Sequence, residues 1–138
     1  MCSDALAELD AIDPKLQDRA DILEMRVLSL LKARRWADAL VSSRKLSKLN
    51  PDANGGYIHA AYCLHELGRT EEARAMLLSG PATLTQEPTY HYNLACYESV
   101  LGNMEAAQAY LDTSIAIDRK FREFARADPD LKAIHHLL

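Results

Sequence analysis

The chain has 138 residues, 49% of them hydrophobic, and its 16 basic and 20 acidic side chains give a formal net charge of −4. This length and composition can bury the core of one domain, and the small negative charge argues against a dedicated nucleic-acid binder. No window approaches 18 uninterrupted apolar residues, so we expect no membrane-spanning segment.

The N-terminal residues predict a short capping helix. Ser3 supplies a hydroxyl that can accept a hydrogen bond from the first turn of this helix. The helix has an apolar stripe that is left over if it does not fold back on its neighbour, namely Leu6, Leu9 and Ile12. Asp13-Pro14 is a second start signal, a carboxylate followed by proline, and predicts a helix that ends at Ala33.

The next helix completes the first pair, and two further helix pairs follow. Arg34-Arg35 forms the first turn without glycine, and a helix over 36–49 is expected to turn Leu46 and Leu49 inward. The next helix ends at Gly68, and Thr70 is expected to cap its partner. Gly80-Pro81 ends that partner early, so we expect a polar loop over 82–87 before Pro88 opens the last pair.

A period of 34 residues connects these helices. Equivalent positions with this spacing are Ala39, Ala73 and Ala107, then Arg34, Gly68 and Gly102, and also Leu23, Tyr57 and His91. Alanine at a helix crossing lets two backbones approach, whereas a larger residue there costs about 1–3 kcal/mol through overpacking. With this period, and with YNLAC at 92–96 followed by LGN at 101–103, the chain resembles the tetratricopeptide repeat family.

The resemblance implies an all-α, right-handed solenoid of stacked helix–turn–helix repeats. The expected boundaries are an N-terminal cap over 1–19, repeat units over 20–53, 54–87 and 88–121, and C-terminal capping helices over 122–138. The closing segment, FREFARADPDLKAI, resembles one that follows such repeats in bacterial proteins.

Several residues of the last unit and the cap have specific expectations. Phe121 and Phe124 are expected to face inward from a short helix, and Asp128-Pro129 to begin a last helix over 130–138. Glu98 stands where the first two units have leucine, and we expect the terminal helix to leave this carboxylate partly wet.

In that family the first helix of each unit faces a concave groove. The resemblance therefore implies a peptide groove in this chain, lined by Leu28, Leu31, Ile58, Tyr62, His65, Tyr92, Asn93, Cys96 and Ser99, with acidic side chains such as Glu66 beside them. Apolar and aromatic patches beside amides suit a peptide held by backbone hydrogen bonds and side-chain pockets. We expect a non-enzymatic protein-interaction module with an adaptor or assembly role.

Two alternatives stay open. The repeats can associate with themselves as a homo-oligomer, or act as a secretion-type chaperone. The family's clamp for chaperone C-termini is disfavoured, because Glu24 and Leu28 stand where that clamp has lysine and asparagine.

Other chemistries lack their motifs. The sequence has no G-x-S-x-G, no HExxH and no phosphate-binding glycine loop, so we expect neither an enzyme nor a cofactor. His59 and Cys63 lie four residues apart without further ligands at metal spacing, so no metal site is expected. An odd number of cysteines without CxxC spacing favours a reducing, cytoplasmic compartment.

Overall fold

The computed structural model describes residues 2–138, with side chains from residue 4 onward. The α-helices are α1 (Cys2–Asp10), α2 (Ala20–Lys32), α3 (Trp36–Leu49), α4 (Gly55–Glu66), α5 (Thr70–Leu78), α6 (Pro88–Val100), α7 (Met104–Ile117) and α8 (Phe121–Ala127). Short 3-10 segments cover Pro14–Leu16, Ala82–Gln86 and Pro129–Leu137. Residues 2–138 contain no β-strand, which confirms the all-α prediction.

The helices stack as successive antiparallel pairs. Helices α2 and α3, α4 and α5, and α6 and α7 pack as hairpins, and each pair packs on the next through α3 with α4 and α5 with α6. The three alanines spaced by 34 residues, Ala39, Ala73 and Ala107, are all completely buried. The fold is therefore the predicted solenoid of helix–turn–helix repeats.

The turns of the three hairpins share one backbone conformation. Gly68 and Gly102 have φ angles of 79° and 88°, and Arg34 has a φ of 56° at the equivalent place. A side chain in this left-handed region costs about 1–2 kcal/mol, because Cβ crowds the following carbonyl oxygen. The first hairpin therefore forms the same turn as the other two, but with a strained residue.

Helix α1 folds back on α2 and closes the N-terminal end. Leu6 and Leu9 are buried there, so the predicted stripe is not left over. The Gln17 side-chain amide donates to the carbonyls of Leu9 and Ile12 at 2.7 and 2.9 Å, which satisfies the end of α1. The prediction of one helix from Asp13-Pro14 to Ala33 is wrong, because a 3-10 turn precedes α2; Ser3 lies among the side chains that are not described.

The segment between α5 and α6 is more ordered than the predicted polar loop. Its 3-10 turn places Leu84, which is 1% exposed, against the backbone of Gly80 and near the ring of Tyr57. The Thr83 hydroxyl and the Glu87 carboxylate bond to the side chain of Asn54 at 2.9 and 3.3 Å. The hydrophobic anchor Leu84 replaces the missing last turn of α5 in the core.

The C-terminal residues pack back on the last repeat. Phe121 is buried, but Phe124 is 51% exposed and Ala125 takes the inward position, so the prediction for Phe124 is wrong. The last predicted helix is a 3-10 segment that packs mainly on α6, with Leu131 and Ile134 buried. Leu49 in α3 is likewise exposed rather than inward.

Glu98 is buried and forms an ion pair with Arg74, so the prediction that it is partly exposed to solvent is wrong. Its side chain lies 2.6 Å from the guanidinium of Arg74, and the Asn103 amide approaches the same oxygen at 3.4 Å. A buried carboxylate needs such donors to offset its lost hydration.

A membrane span needs a long apolar helix, and none of the helices in the described part of the chain meets that requirement.

Candidate peptide-binding pocket

A cavity of about 600 Å³ lies between α4, α6 and the start of the C-terminal 3-10 segment. Its lining combines aromatic rings, carboxylates and one guanidinium: Arg34, Trp36, Tyr62, His65, Glu66, Tyr92, Asn93, Cys96, Tyr97, Asp128, Pro129 and Asp130. We call this cavity the α4–α6 pocket. It is large enough to accept a side chain and part of its backbone.

Asp128 fixes one wall of the pocket to α6. One of its oxygens accepts a 2.7 Å hydrogen bond from the Tyr92 hydroxyl and a weak one from the Cys96 thiol at 3.6 Å. The other accepts from the backbone N–H of Asp130 at 3.0 Å, which caps the 3-10 segment as predicted. The phenol and thiol of the third repeat are therefore occupied by the protein's own C-terminal segment.

His65 fixes the same segment to α4. Its Nε2 lies 2.8 Å from an Asp130 oxygen, and its Nδ1 lies 3.0 Å from the Thr70 hydroxyl. The neutral tautomer with Nε2 protonated satisfies both partners, since Nε2–H donates to the carboxylate and Nδ1 accepts from the hydroxyl. Thr70 is thus not the cap that we predicted, because α5 begins at this residue and its hydroxyl bonds His65.

Aromatic rings form the other side of the pocket. The rings of Trp36 and Tyr62 meet edge to face with centroids 5.7 Å apart, and Tyr62 stays 40% exposed. Tyr97, whose ring centroid lies 4.9 Å from that of His65, is only 1% exposed. Its hydroxyl is buried and has no hydrogen-bond partner among the described residues, which is costly for a polar group.

The lining of the pocket carries more negative than positive charge. The carboxylates of Glu66, Asp128 and Asp130 face a single guanidinium, that of Arg34. Burial raises the pKa of Tyr62, these three carboxylates raise it further, and Arg34 opposes them. Three carboxylates against one cation leave an excess of negative charge that favours a cationic ligand.

Metal-ligating atoms also meet at this wall. The thiol of Cys96 and one oxygen each of Asp128 and Asp130 lie within 4.8 Å of one another, a grouping that the sequence did not reveal. Burial first, and then Asp128, raise the pKa of the Cys96 thiol, so it stays protonated at neutral pH. The atoms already bond one another and His65, which explains the grouping without an ion.

Five of the nine predicted groove residues line the α4–α6 pocket: Tyr62, His65, Tyr92, Asn93 and Cys96. Leu28, Leu31 and Ile58 lie outside the lining of this pocket, and Leu28 is exposed on α2. Ser99 is buried and also outside it. The role of all nine in peptide binding stays a prediction.

The sequence missed the residues that complete the pocket. Trp36 and Tyr97 were not among the groove residues, although Trp36 directly follows the first turn and Tyr97 directly follows Cys96. Asp128 and Asp130 lie beyond the last repeat, where the 34-residue period gives no guide to position.

Models of the tetratricopeptide repeat match residues 30–95 and 88–121. A search of curated proteins found no match. The solved structure of MamA MSR-1 C2 is similar to this chain, with a TM-score of 0.74 and 17% sequence identity over 86% of this chain and 68% of that one. At this identity the similarity concerns the fold.

Stacked helix hairpins with a pocket between their first helices define a helical-repeat scaffold of the kind that contacts other proteins. The 34-residue period, the matched repeats and the solenoid fold agree, and the chain belongs to the tetratricopeptide repeat family. Membership and fold support a protein-interaction or scaffold role.

Proposed function

We propose that this protein binds a peptide segment of a partner protein across the exposed faces of α2 and α4, with the α4–α6 pocket as its anchoring site. The observation that carries the proposal is the open pocket beside Tyr62, an aromatic side chain that is 40% exposed although it contacts Trp36. Exposed aromatics at the edge of a cavity are the residues that contribute most to peptide affinity.

The C-terminal segment limits where a peptide can lie. Tyr92 and Cys96 bond Asp128, and the C-terminal segment buries its own Leu131 and Ile134 where it packs on α6. The third repeat therefore offers only the pocket edge, while Leu28 and Tyr62 stay exposed on the first two. The proposed path runs over these two repeats and ends at the pocket.

Peptide selection tests the proposal. A displayed library of random peptides is selected on the full chain, and the affinities of selected peptides are measured for the wild type, Tyr62→Ala and Leu78→Ala. Leu78 is a matched control, because it is an exposed apolar side chain outside the pocket. We expect Tyr62→Ala to weaken binding about tenfold, a typical loss for an aromatic anchor.

The control variant is expected to bind like the wild type, and both variants to keep the wild-type circular dichroism. Tyr62→Ala also loses the ring contact with Trp36, so we expect its unfolding free energy to fall by about 0.5–1.5 kcal/mol without loss of the fold. Selection of no binding peptide, or equal binding by Tyr62→Ala, would overturn the groove mechanism.

Self-association is the weaker candidate, since Leu6 and Leu9, which belong to the apolar stripe that motivated it, are buried against α2.

A further inference from the structure

The α4–α6 pocket has features of a site for a specific side chain. Its carboxylates come from two separate parts of the chain, Glu66 at the end of α4 and Asp128 and Asp130 after α8. Both aspartates are held in place, Asp128 by Tyr92 and Asp130 by His65. A ligand therefore meets fixed acceptors, which reduces the entropy lost on binding.

The ring faces and the unpartnered hydroxyl point to the shape of the ligand group. Trp36 and Tyr62 lie at one side of the pocket, and a planar cation stacks well on such rings. Tyr97 is buried in the lining with a hydroxyl that lacks a hydrogen-bond partner among the described residues, whose side chains begin at residue 4, and this hydroxyl can accept from an N–H donor.

We propose that the α4–α6 pocket binds the guanidinium of an arginine in the partner segment, held by Glu66 and Asp130 and stacked beside Tyr62. This inference rests on the proposed peptide-binding function and names the residue that anchors the peptide. A guanidinium supplies several N–H donors in a plane and keeps its charge at every physiological pH, which matches two fixed carboxylates and the nearby Glu66 better than a neutral side chain does. Arg34 in the lining repels a cation and so offsets part of the attraction, but it is one positive charge against the three carboxylates of Glu66, Asp128 and Asp130.

Two small probes test this site without any selected peptide. Backbone amide resonances of the full chain are followed by NMR during titration with N-acetyl-arginine amide, and separately with N-acetyl-citrulline amide, which has the same shape without the charge. We expect the arginine probe to shift residues around Tyr62, Glu66 and Asp130 with a saturable curve, and the citrulline probe to cause little change. Added salt should weaken the arginine binding, since the attraction is between charges.

Charge-neutralising variants localise the effect. Glu66 has no hydrogen bond to the C-terminal segment, so Glu66→Gln removes a charge from the pocket and leaves those bonds in place. We expect Glu66→Gln to lower the affinity for the arginine probe about three- to tenfold, the range of a partly exposed charge-assisted contact. Glu71→Gln is the control, since Glu71 is exposed on α5 outside the α4–α6 pocket.

The outcomes separate this inference from the proposed function. Equal shifts with both probes, no shifts with arginine, or an unchanged affinity in Glu66→Gln would overturn the arginine site. If peptides selected on the wild type depend on Tyr62 but show no arginine preference, the groove stands and the arginine inference fails. Arginine-containing peptides that bind Glu66→Gln and wild type equally would likewise overturn it.

Discussion

The carboxylate of Glu98 lies 2.6 Å from the guanidinium of Arg74, across the interface between the second and third repeats. The first two repeats have Leu30 and Leu64 at the position equivalent to Glu98. The pair therefore makes this interface chemically different from the preceding one, because a buried charge needs a partner that leucine does not.

The first prediction is that the two residues are energetically coupled. Arg74→Met leaves the Glu98 carboxylate buried without its cation, so we expect it to lower the urea midpoint clearly in the wild type and only slightly in a Glu98→Leu background. Urea unfolding of the wild type, both single variants and the double variant measures the coupling. Equal losses from Arg74→Met in both backgrounds would show that the ion pair does not link the repeats.

The second prediction concerns two adjacent glycines at the start of α4. A Cβ on Gly56 would lie 2.7 Å from the backbone nitrogen of Ser47 in α3, whereas a Cβ on Gly55 has nothing within 4 Å. We expect Gly56→Ala to cost about 1–3 kcal/mol of unfolding free energy through overpacking. Gly55→Ala, the matched control, should be neutral or stabilising by up to about 1 kcal/mol. Chemical unfolding measures the free energy of unfolding of both variants, and equal values would contradict close packing at Gly56.

The third prediction concerns the strained first turn. Arg34→Gly relieves about 1–2 kcal/mol of left-handed strain and adds roughly 0.5–1 kcal/mol of unfolded-state entropy cost, so we expect a net gain of about 0.5–1 kcal/mol. Arg34→Ala keeps a Cβ at φ 56° and should give no such gain. Thermal and urea unfolding test the pair, and a gain shared by both variants would assign the effect to the charge of Arg34 instead.

The fourth prediction is a pH dependence of stability that arises from His59. Burial lowers the pKa of this imidazole below its ordinary value of 6.5, and Glu24 offsets part of the shift. As pH falls below about 6.5 the unfolded chain binds a proton that the folded chain does not, so stability is lost in that direction.

We therefore expect the unfolding free energy to fall more steeply between about pH 7 and pH 5 in the wild type than in His59→Gln. The control is His136→Gln, since His136 is exposed. Its slope should match the wild type, and identical slopes in all three proteins would exclude His59 as the source.

The repeated part of the fold could be predicted from the sequence, because its period reflects packing. Ala39, Ala73 and Ala107 recur where helices cross, and all three are fully buried. Leu84 was placed in a polar loop, because a single apolar residue among polar neighbours has no period, and tertiary packing against Gly80 decides its position. Phe124 was misassigned because a helix as short as α8 gives too few turns to define one face.

Part of the candidate site could be predicted from the sequence in the same way, because some of its residues lie at repeated positions. Tyr62 and Tyr92 follow from the repeat register, since the first helix of each unit lines the groove in this family. The residues that bond to the repeats from outside them, Asp128 and Asp130, depend on how the chain returns to α6, which no local pattern encodes.

Two of the three carboxylates that line the α4–α6 pocket, those of Asp128 and Asp130, come from residues that follow the last hairpin. Asp128 and Asp130 belong to none of the three hairpins, so we expect their replacement to change the ligand preference of the proposed site while the repeat pattern of the helices stays the same. Replacing the C-terminal segment by one of different sequence, while the three hairpins are kept, is therefore a way to design new ligand specificity into the proposed site.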